Sequence, residues 1–314
     1  MMINESNIKL NINEWEKFKI TKVDNFLNID SNKTANNLLN EIRKEINMLY
    51  PFSENIFLNP HSKYKQLMPE FMLNNNKKKY FNKNNISSLC NLYNDWSIMS
   101  LYYLPELLEF IKKVTQWKHV CRLPILSSRE FEINGKINFY NADYPSFLDW
   151  HFDKVYNYLG NQVVCVFTVK NDLDALMPTD RPPTLEVSYM APNIDEYRKK
   201  MYLGSNSISL HDPNSVFHRV LPFQRPSLLN ALSNKPCSRT VFIMRFTNDP
   251  TPSTQLYKTL GKINYVKNNA VAFVRVGDIK WLTIVSIFIV FLCICAGLSV
   301  KLIINIKKIK KINN

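Results

Sequence analysis

Two short stretches of the chain contain the residue types and spacing of a metal site. His151 and Asp153 are separated by one residue, and His218 follows much later in the chain. On a β-strand, side chains at positions i and i+2 point to the same face, so the imidazole and the carboxylate can reach one ion. Two imidazoles and one carboxylate hold ferrous iron on one face and leave other coordination positions open. The sequence therefore predicts an iron site formed by His151, Asp153 and His218.

Each of these residues also has a simpler interpretation. Asp153 could cap a turn, and His151 could be a hydrogen-bonded residue of the core. His211 competes with His218 as the second histidine, although the segment from His211 to Asn214 is typical of a turn. Arg219, the neighbour of His218, is expected to point outward, since successive residues of a strand alternate between its faces.

Two arginines occur in a strand-like run near residue 240. Arg239 and Arg245 fall on the same face of this run under period-two alternation. A guanidinium group there can clamp a carboxylate through two parallel hydrogen bonds. Arg239 is the first candidate for this role, and Arg245 is either the alternative or a second member of the same face.

The order of His151-x-Asp153, His218 and Arg239 resembles the Fe(II)/2-oxoglutarate-dependent oxygenases over roughly residues 120 to 250. Within them, the segment His218-Arg219-Val220-Leu221-Pro222 resembles the His-Arg-Val-x-Pro segment of the prolyl-hydroxylase-like branch. In one respect the chain departs from that pattern, because residues 226–237 intervene before Arg239. We interpret these residues as an inserted hairpin loop.

The resemblance implies a double-stranded β-helix, or jelly-roll, fold and a hydroxylase that uses Fe(II) and 2-oxoglutarate; it also allows ascorbate as a reductant. It places the far carboxylate of 2-oxoglutarate on Arg239. Tyr140 and Asn138 then either hydrogen-bond the cosubstrate or form part of the barrel wall. No catalytic residue beyond the metal ligands is implied, and the expected substrate is a side chain of a protein or peptide.

Two alternatives remain open at the level of sequence. Asn138-x-Tyr140 and Arg239-x5-Arg245 also resemble the flanking motifs of AlkB-like nucleic-acid demethylases. A jelly-roll scaffold of a membrane or virion, without turnover, is the third interpretation. The formal net charge of +14 permits an acidic partner, nucleic acid or an anionic membrane without selecting one.

The expected fold class is α+β, mainly β, with N-terminal helices, a jelly-roll core and one C-terminal transmembrane helix. The predicted organisation is an N-terminal region (1–118), an oxygenase core (119–250), a linker (251–280), a membrane span (281–300) and a basic tail (301–314). The six cysteines form no CxxC pair and no disulfide-rich pattern, which favours a reducing compartment.

Local patterns predict the individual elements. Residues 1–15 are expected to be loose, residues 18–27 to form a strand, and a helix capped by Asp30 or Ser31 to run to about Tyr50. Residues 52–95 are expected to be an irregular insertion, or else a substrate lid. Residues 96–117 are expected to be helical with a break near Pro105, and residues 197–203 to form a loop or short helix. Strands are predicted at 131–133, 136–140, 163–169, 184–190, 207–210, 216–220 and 240–246.

Residues 281–300 contain no charged side chain. A helix of this length spans roughly 30 Å, which matches the hydrocarbon core of a bilayer. Because no apolar signal segment opens the sequence, we expect a tail-anchored protein with its catalytic domain in the cytosol, in a host or virion membrane if the protein is viral. The lysine-rich tail favours the opposite orientation.

Overall fold

The computed structural model describes residues 2–56, 62–67, 97–123, 135–142, 146–153, 160–189, 198–224 and 237–249. The described part of the chain contains four α-helices: α1 (Ile8–Phe18), α2 (Lys33–Leu49), α3 (Ser97–Tyr103) and α4 (Pro105–Thr115). Short 3-10 helices occur at Tyr50–Phe52, Asp172–Ala175 and Pro178–Asp180. All of these residues belong to one unit, Met1–Asn269.

Twelve antiparallel strands form the centre of this unit. They are β1 (Ile20–Val23), β2 (Glu54–Ile56), β3 (Ser62–Leu67), β4 (Cys121–Arg122), β5 (Lys136–Asn141), β6 (Ser146–His151), β7 (Gln162–Asn171), β8 (Leu185–Tyr189), β9 (Arg198–Met201), β10 (Ser207–His211), β11 (Val216–Phe223) and β12 (Ser238–Thr247).

The strands form a curled, jelly-roll-like arrangement of two parts. The first part has the order β1-β10-β7-β12-β5, and the second has the order β6-β11-β8-β9. Strand β3 joins them, because its C-terminal half pairs with β5 and its first residues pair with β6. The mainly β, antiparallel core expected from the sequence is therefore confirmed.

Alternation along the strands separates the core from the barrel interior. On β12, the residues Phe242, Met244 and Phe246 face the helices and belong to the main apolar cluster. That cluster includes Leu39 and Ile42 of α2 and several residues of α4. Since neighbours on a strand point to opposite faces, the intervening residues of β5, β10 and β12 point into the barrel. The packing of the helices thus determines which side chains are available to a site.

The observed helices match the helices predicted from the sequence only in part. Helix α2 occurs where it was expected, but its N-cap is Asn32, whose side-chain oxygen accepts a hydrogen bond from the Ala35 amide. The break between α3 and α4 lies at Leu104 and Pro105. The prediction that residues 1–15 are loose was wrong, because α1 begins at Ile8. Its buried face is narrow, being formed chiefly by Asn11 and Trp15, so its helical periodicity is weak.

Two further predictions differ from the structure. Residues 52–95 are not wholly irregular, since β2 and β3 lie within this range. Residues 198–201 form strand β9 rather than a loop or helix, although Arg198, Lys199 and Lys200 are exposed and give no apolar alternation. Both segments are strands because an adjacent strand pairs with them, which a local pattern does not reveal.

Some predicted elements lie outside the described residues. They are the strand at 131–133, most of the insertion (57–61 and 68–95), most of the hairpin loop (226–236), the linker, the membrane span and the basic tail. Within the described ranges, no helix is both long and apolar enough to cross a bilayer. Residues 281–300 are not among them, so the membrane span stays a prediction.

Candidate metal and cosubstrate site

A bulge in β6 aims His151 into the barrel. His218 of β11 pairs with His151, whereas Val220 pairs with Leu148, so β6 has one extra residue between the two pairs. Such a bulge lets a strand redirect a side chain beside a site. Trp150 consequently lies on the outer surface, where it stacks on Phe217 with ring centroids 5.1 Å apart. Strand β6 ends at His151, so Asp153 lies beyond the end of the strand. The two residues therefore do not meet as the i and i+2 side chains of one strand, which was the arrangement expected from the sequence.

The two histidines and the carboxylate surround one small volume. His151 Nε2 lies 4.0 Å from Asp153 Oδ1, and His218 Nε2 lies 4.0 Å from Asp153 Oδ2. One ligand atom from each of the three residues lies within 4.8 Å of the other two. This donor set matches a two-histidine, one-carboxylate facial triad. His151 and Asp153 are partly buried and His218 is buried.

Both imidazoles are arranged to offer a lone pair to a metal. The Nδ1–H group of His151 donates to the carbonyl oxygen of Asp149 over 2.7 Å, which leaves Nε2 as the acceptor. His218 Nδ1 makes the equivalent but longer contact with the Val216 carbonyl at 3.4 Å. Burial, together with the neighbouring His151 and His211 rings, holds the pKa of His218 well below its usual range. His218 is therefore neutral at pH 7, as a metal ligand must be.

The surroundings of Asp153 keep its carboxylate ionised. His211 Nε2 lies 2.8 Å from Oδ2, and Arg245 Nη2 lies 3.4 Å from Oδ1. Burial alone would raise the pKa of Asp153, but the charge of Arg245 and the hydrogen bond from His211 outweigh it and lower that pKa well below its usual value. The carboxylate is thus an anionic ligand at neutral pH.

The contact between His211 and Asp153 was not predicted from the sequence. His211 was expected to begin a turn, but it is the last residue of β10 and is buried, and only the residues after it form the turn. One signal could have located it, because Ser207, Ser209 and His211 alternate with Ile208 and Leu210. The contact between Arg245 and Asp153 was also not foreseen, since Arg245 was considered only as an anchor for the cosubstrate.

We expect the hydrogen bond from His211 to position Asp153 for metal binding. Replacing His211 with leucine removes the donor to Oδ2 and should weaken iron binding roughly 10- to 100-fold, the usual effect of losing such a partner. His211→Gln keeps an amide donor and should retain most of the affinity. Anaerobic titration of Fe(II) against a coloured chelator would measure both variants. Equal affinity in His211→Leu and the wild type would contradict this role.

Arg239 lies on the interior face of β12, at the end of the strand opposite to Arg245. It is 2% exposed, and neither its Nε nor its Nη1 has a hydrogen-bond acceptor among the described residues. Its guanidinium carbon lies 5.6 Å from the centre of the Tyr140 ring. Burial lowers the pKa of Arg239 to about 10, so it remains cationic at neutral pH. Burying a cation whose hydrogen-bond donors have no acceptor costs stability unless an anion pairs with it. The Arg239 guanidinium therefore suits the carboxylate of a ligand.

Asn138 and Tyr140 lie beside Arg239 on the interior face of β5. Both are buried, and the Asn138 side-chain oxygen accepts a hydrogen bond of 2.6 Å from Gln66 Nε2 of β3. Burial, followed by the neighbouring Tyr64, raises the pKa of Tyr140 to about 12, so its hydroxyl is protonated and able to donate. These residues therefore form the polar wall next to the Arg239 guanidinium. Arg219 points outward and binds Glu186.

No protein-family model matches the chain, and no curated protein matches it either. Solved structures match over most of its length. A Pseudomonas putida prolyl-4-hydroxylase is 12% identical, with 76% of this chain and 98% of that chain covered and a TM-score of 0.43. The non-haem α-ketoglutarate-dependent epimerase SnoN from nogalamycin biosynthesis is 11% identical, with 81% and 87% covered and a TM-score of 0.49.

A Trichoplax adhaerens prolyl hydroxylase, solved in complex with a peptide fragment of the hypoxia inducible factor oxygen degradation domain, is 12% identical. The match covers 78% of this chain and 91% of that chain, with a TM-score of 0.47. Similarity at these levels carries no argument about activity, so the assignment of function rests on the side chains. The facial triad and the buried Arg239 fit the Fe(II) and the 2-oxoglutarate expected from the sequence.

Proposed function

We propose that this chain is an Fe(II)/2-oxoglutarate-dependent oxygenase of the prolyl-hydroxylase-like branch and hydroxylates a side chain of a protein or peptide. The observation that carries the proposal is the presence, inside one barrel, of a facial triad and a buried guanidinium with unused donors. The His218–Pro222 segment supports the choice of branch, since it resembles the corresponding segment of those enzymes.

Each residue has a distinct part in this proposal. His151, Asp153 and His218 hold the metal on one face, and His211 and Arg245 fix the Asp153 carboxylate. Arg239 binds the far carboxylate of 2-oxoglutarate, and Tyr140 and Asn138 form the adjoining wall. Bound Fe(II) and 2-oxoglutarate supply the oxidation of a substrate C–H bond by dioxygen. The protein orients these groups.

The described structure weighs against a silent scaffold. Burying Arg239 without an acceptor costs stability, and a scaffold gains nothing from that cost. The same holds for three histidines and a carboxylate gathered in one place. No described feature selects a nucleobase over a peptide, so the AlkB-like alternative receives no added support.

The direct test is to measure iron content and turnover of the purified full chain in detergent. We expect about one Fe(II) per chain after anaerobic loading, and oxygen-dependent release of succinate from 2-oxoglutarate. 2-Oxobutyrate is the matched control, since it keeps the keto acid but lacks the far carboxylate that Arg239 would bind. Absence of both iron binding and turnover would refute the proposal.

The proposal includes a membrane anchor at residues 281–300, with the catalytic domain in the cytosol. Its support is the uncharged sequence of this segment, which has the length of one span. Truncation before Trp281 is expected to move the protein into the fraction extracted by alkaline carbonate. Truncation after Val300 removes only the basic tail and should leave the protein in the membrane. Release of both truncated proteins would place the membrane-binding element in the tail.

A further inference from the structure

Three aromatic side chains pack together on the outer side of β6 and β11, directly behind the metal site. Trp150 stacks on Phe217 with ring centroids 5.1 Å apart and planes only 3° from parallel. Phe152 contacts the same Phe217 ring, with centroids 4.8 Å apart. Phe217 is buried, whereas Trp150 and Phe152 are partly buried. We call these three residues the outer aromatic cluster.

The stacked pair joins the chain neighbours of the two histidine ligands. Trp150 directly precedes His151, and Phe217 directly precedes His218. Since successive residues of a strand point to opposite faces, Phe217 packs outside the barrel while His218 points into it. On the inner side, the rings of His151 and His218 have centroids 4.2 Å apart. The stack outside therefore influences how far apart the two imidazoles lie inside.

The third ring connects Asp153 to the same cluster. The last pair between β6 and β11 is His151 with His218, so Asp153 lies two residues beyond that pair. Phe152 lies between His151 and Asp153 in the chain, and its contact with Phe217 ties this segment to β11. Beyond the end of a strand pair, side-chain packing contributes most of what holds a segment in one position. Each ligand of the triad thus has a chain neighbour in the outer aromatic cluster.

Polar side chains hold Trp150 in its stacked position. The guanidinium carbons of Arg219 and Arg198 lie 4.9 and 5.8 Å from the centre of the Trp150 ring, within the range of cation–π contacts. Arg219 is itself fixed, because its Nε donates to the buried Glu186 carboxylate over 2.7 Å. The Trp150 amide donates to Asp149 Oδ1 over 2.8 Å, which orders the backbone just before His151.

We propose that the outer aromatic cluster positions the metal ligands, by holding the backbone segments of His151, Asp153 and His218 at the separation that one ion requires. This inference rests on the proposed function, because it concerns the same triad. A metal ion accepts only a narrow range of ligand distances and angles, so small displacements of the backbone weaken the site. Trp150 and Phe217 point away from the triad, so they are positioning residues and not catalytic ones.

Substitutions of Trp150 test this role in the purified full chain in detergent. Leucine keeps an apolar side chain but cannot stack, so Trp150→Leu should weaken Fe(II) binding at least roughly threefold, about what an aromatic pair contributes. Co(II) is the probe of geometry, because its visible absorption depends on how its ligands are arranged. At saturating Co(II), this absorption should differ between Trp150→Leu and the wild type. Trp150→Phe keeps a ring on Phe217 and should restore both the Fe(II) affinity and the Co(II) absorption.

Tyr50→Leu is the matched control for a general loss of stability. Tyr50 is also a partly buried ring, with its centroid 5.2 Å from that of Phe139 and the Lys65 ammonium 4.7 Å from its centre. Phe139 belongs to the apolar cluster that packs against the helices, and it has no metal ligand as a chain neighbour. Tyr50→Leu should lower the melting temperature about as much as Trp150→Leu does, while Fe(II) affinity and Co(II) absorption stay as in the wild type.

Two results would overturn the inference alone. One is a Trp150→Leu variant with the Fe(II) affinity and Co(II) absorption of the wild type. The other is equal weakening of Fe(II) binding in Tyr50→Leu, because the effect would then come from lost stability. A wild-type chain that binds neither ion would give a different outcome, refuting the proposed function and this inference with it.

Discussion

Replacing Asp153 with asparagine is expected to weaken iron binding by more than a hundredfold, which would abolish 2-oxoglutarate turnover. The asparagine keeps one oxygen, which can face either His211 or Arg245, but it removes the anionic ligand of the triad. Loss of a partner outside the metal's own ligands already costs up to about a hundredfold. Anaerobic Fe(II) titration and succinate release measure the two effects separately.

Asp153→Ala should be less stable than Asp153→Asn, so asparagine is the better substitution for testing the ligand. Arg245 is fully buried, and alanine would leave its guanidinium without the carboxylate that lies 3.4 Å away. Removing one partner of a buried ion pair typically costs about 3 to 5 kcal/mol. Asp172→Ala is the matched control, since its carboxylate pairs with Lys170 at 2.9 Å but belongs to no metal triad. Normal iron binding in Asp153→Asn would exclude Asp153 as a ligand.

Replacing Arg239 with lysine is expected to raise the apparent KM for 2-oxoglutarate at least roughly tenfold, equivalent to about 1.4 kcal/mol. The guanidinium presents two donors in a fixed fork, whereas an ammonium group offers a point charge. The unused Nε and Nη1 atoms of Arg239 are the donors that a carboxylate would accept. Titration of 2-oxoglutarate at saturating iron provides the measurement.

Arg245→Lys is the matched control for this prediction. Arg245 lies on the same face of β12, but it contacts Asp153, so its replacement should change Fe(II) affinity more than the KM for 2-oxoglutarate. If Arg245→Lys raises that KM more than Arg239→Lys does, the anchor is misassigned. Both variants keep the charge, so a difference between them reflects position and hydrogen-bond geometry.

His151, Asp153 and His218 were proposed as ligands from their residue types and from the His-x-Asp spacing, and the structure brings one ligand atom from each within 4.8 Å of the others. The sequence did not reveal how Asp153 and His151 meet, since the bulge in β6 arises from pairing with β11. His211 was assigned to a turn because the Asp-Pro-Asn that follows it is a strong local signal. The hydrogen bond that makes it part of the site joins residues far apart in the chain, and no local pattern contains that information.

The fold shows the same division between local and long-range effects. Helix α2 could be located from its own sequence because five buried residues recur at helical spacing. Strands β3 and β9 could not, because β3 lies in a polar region and β9 consists mostly of basic residues. Each is a strand only through its neighbours, and the order β5-β3-β6 that closes the barrel is invisible before the sheet is known.

The position of β12 has a consequence for synthesis and folding of the chain. Although β12 is the last described strand, it lies between β5 and β7 in the middle of the sheet. A ribosome adds about 5 to 20 residues per second, so β5 and β7 emerge well before the strand that joins them. Until then each has an open edge on which another nascent chain could pair. The high contact order of this arrangement predicts slow folding, and it makes the growing polypeptide dependent on protection from aggregation until residue 247 is free.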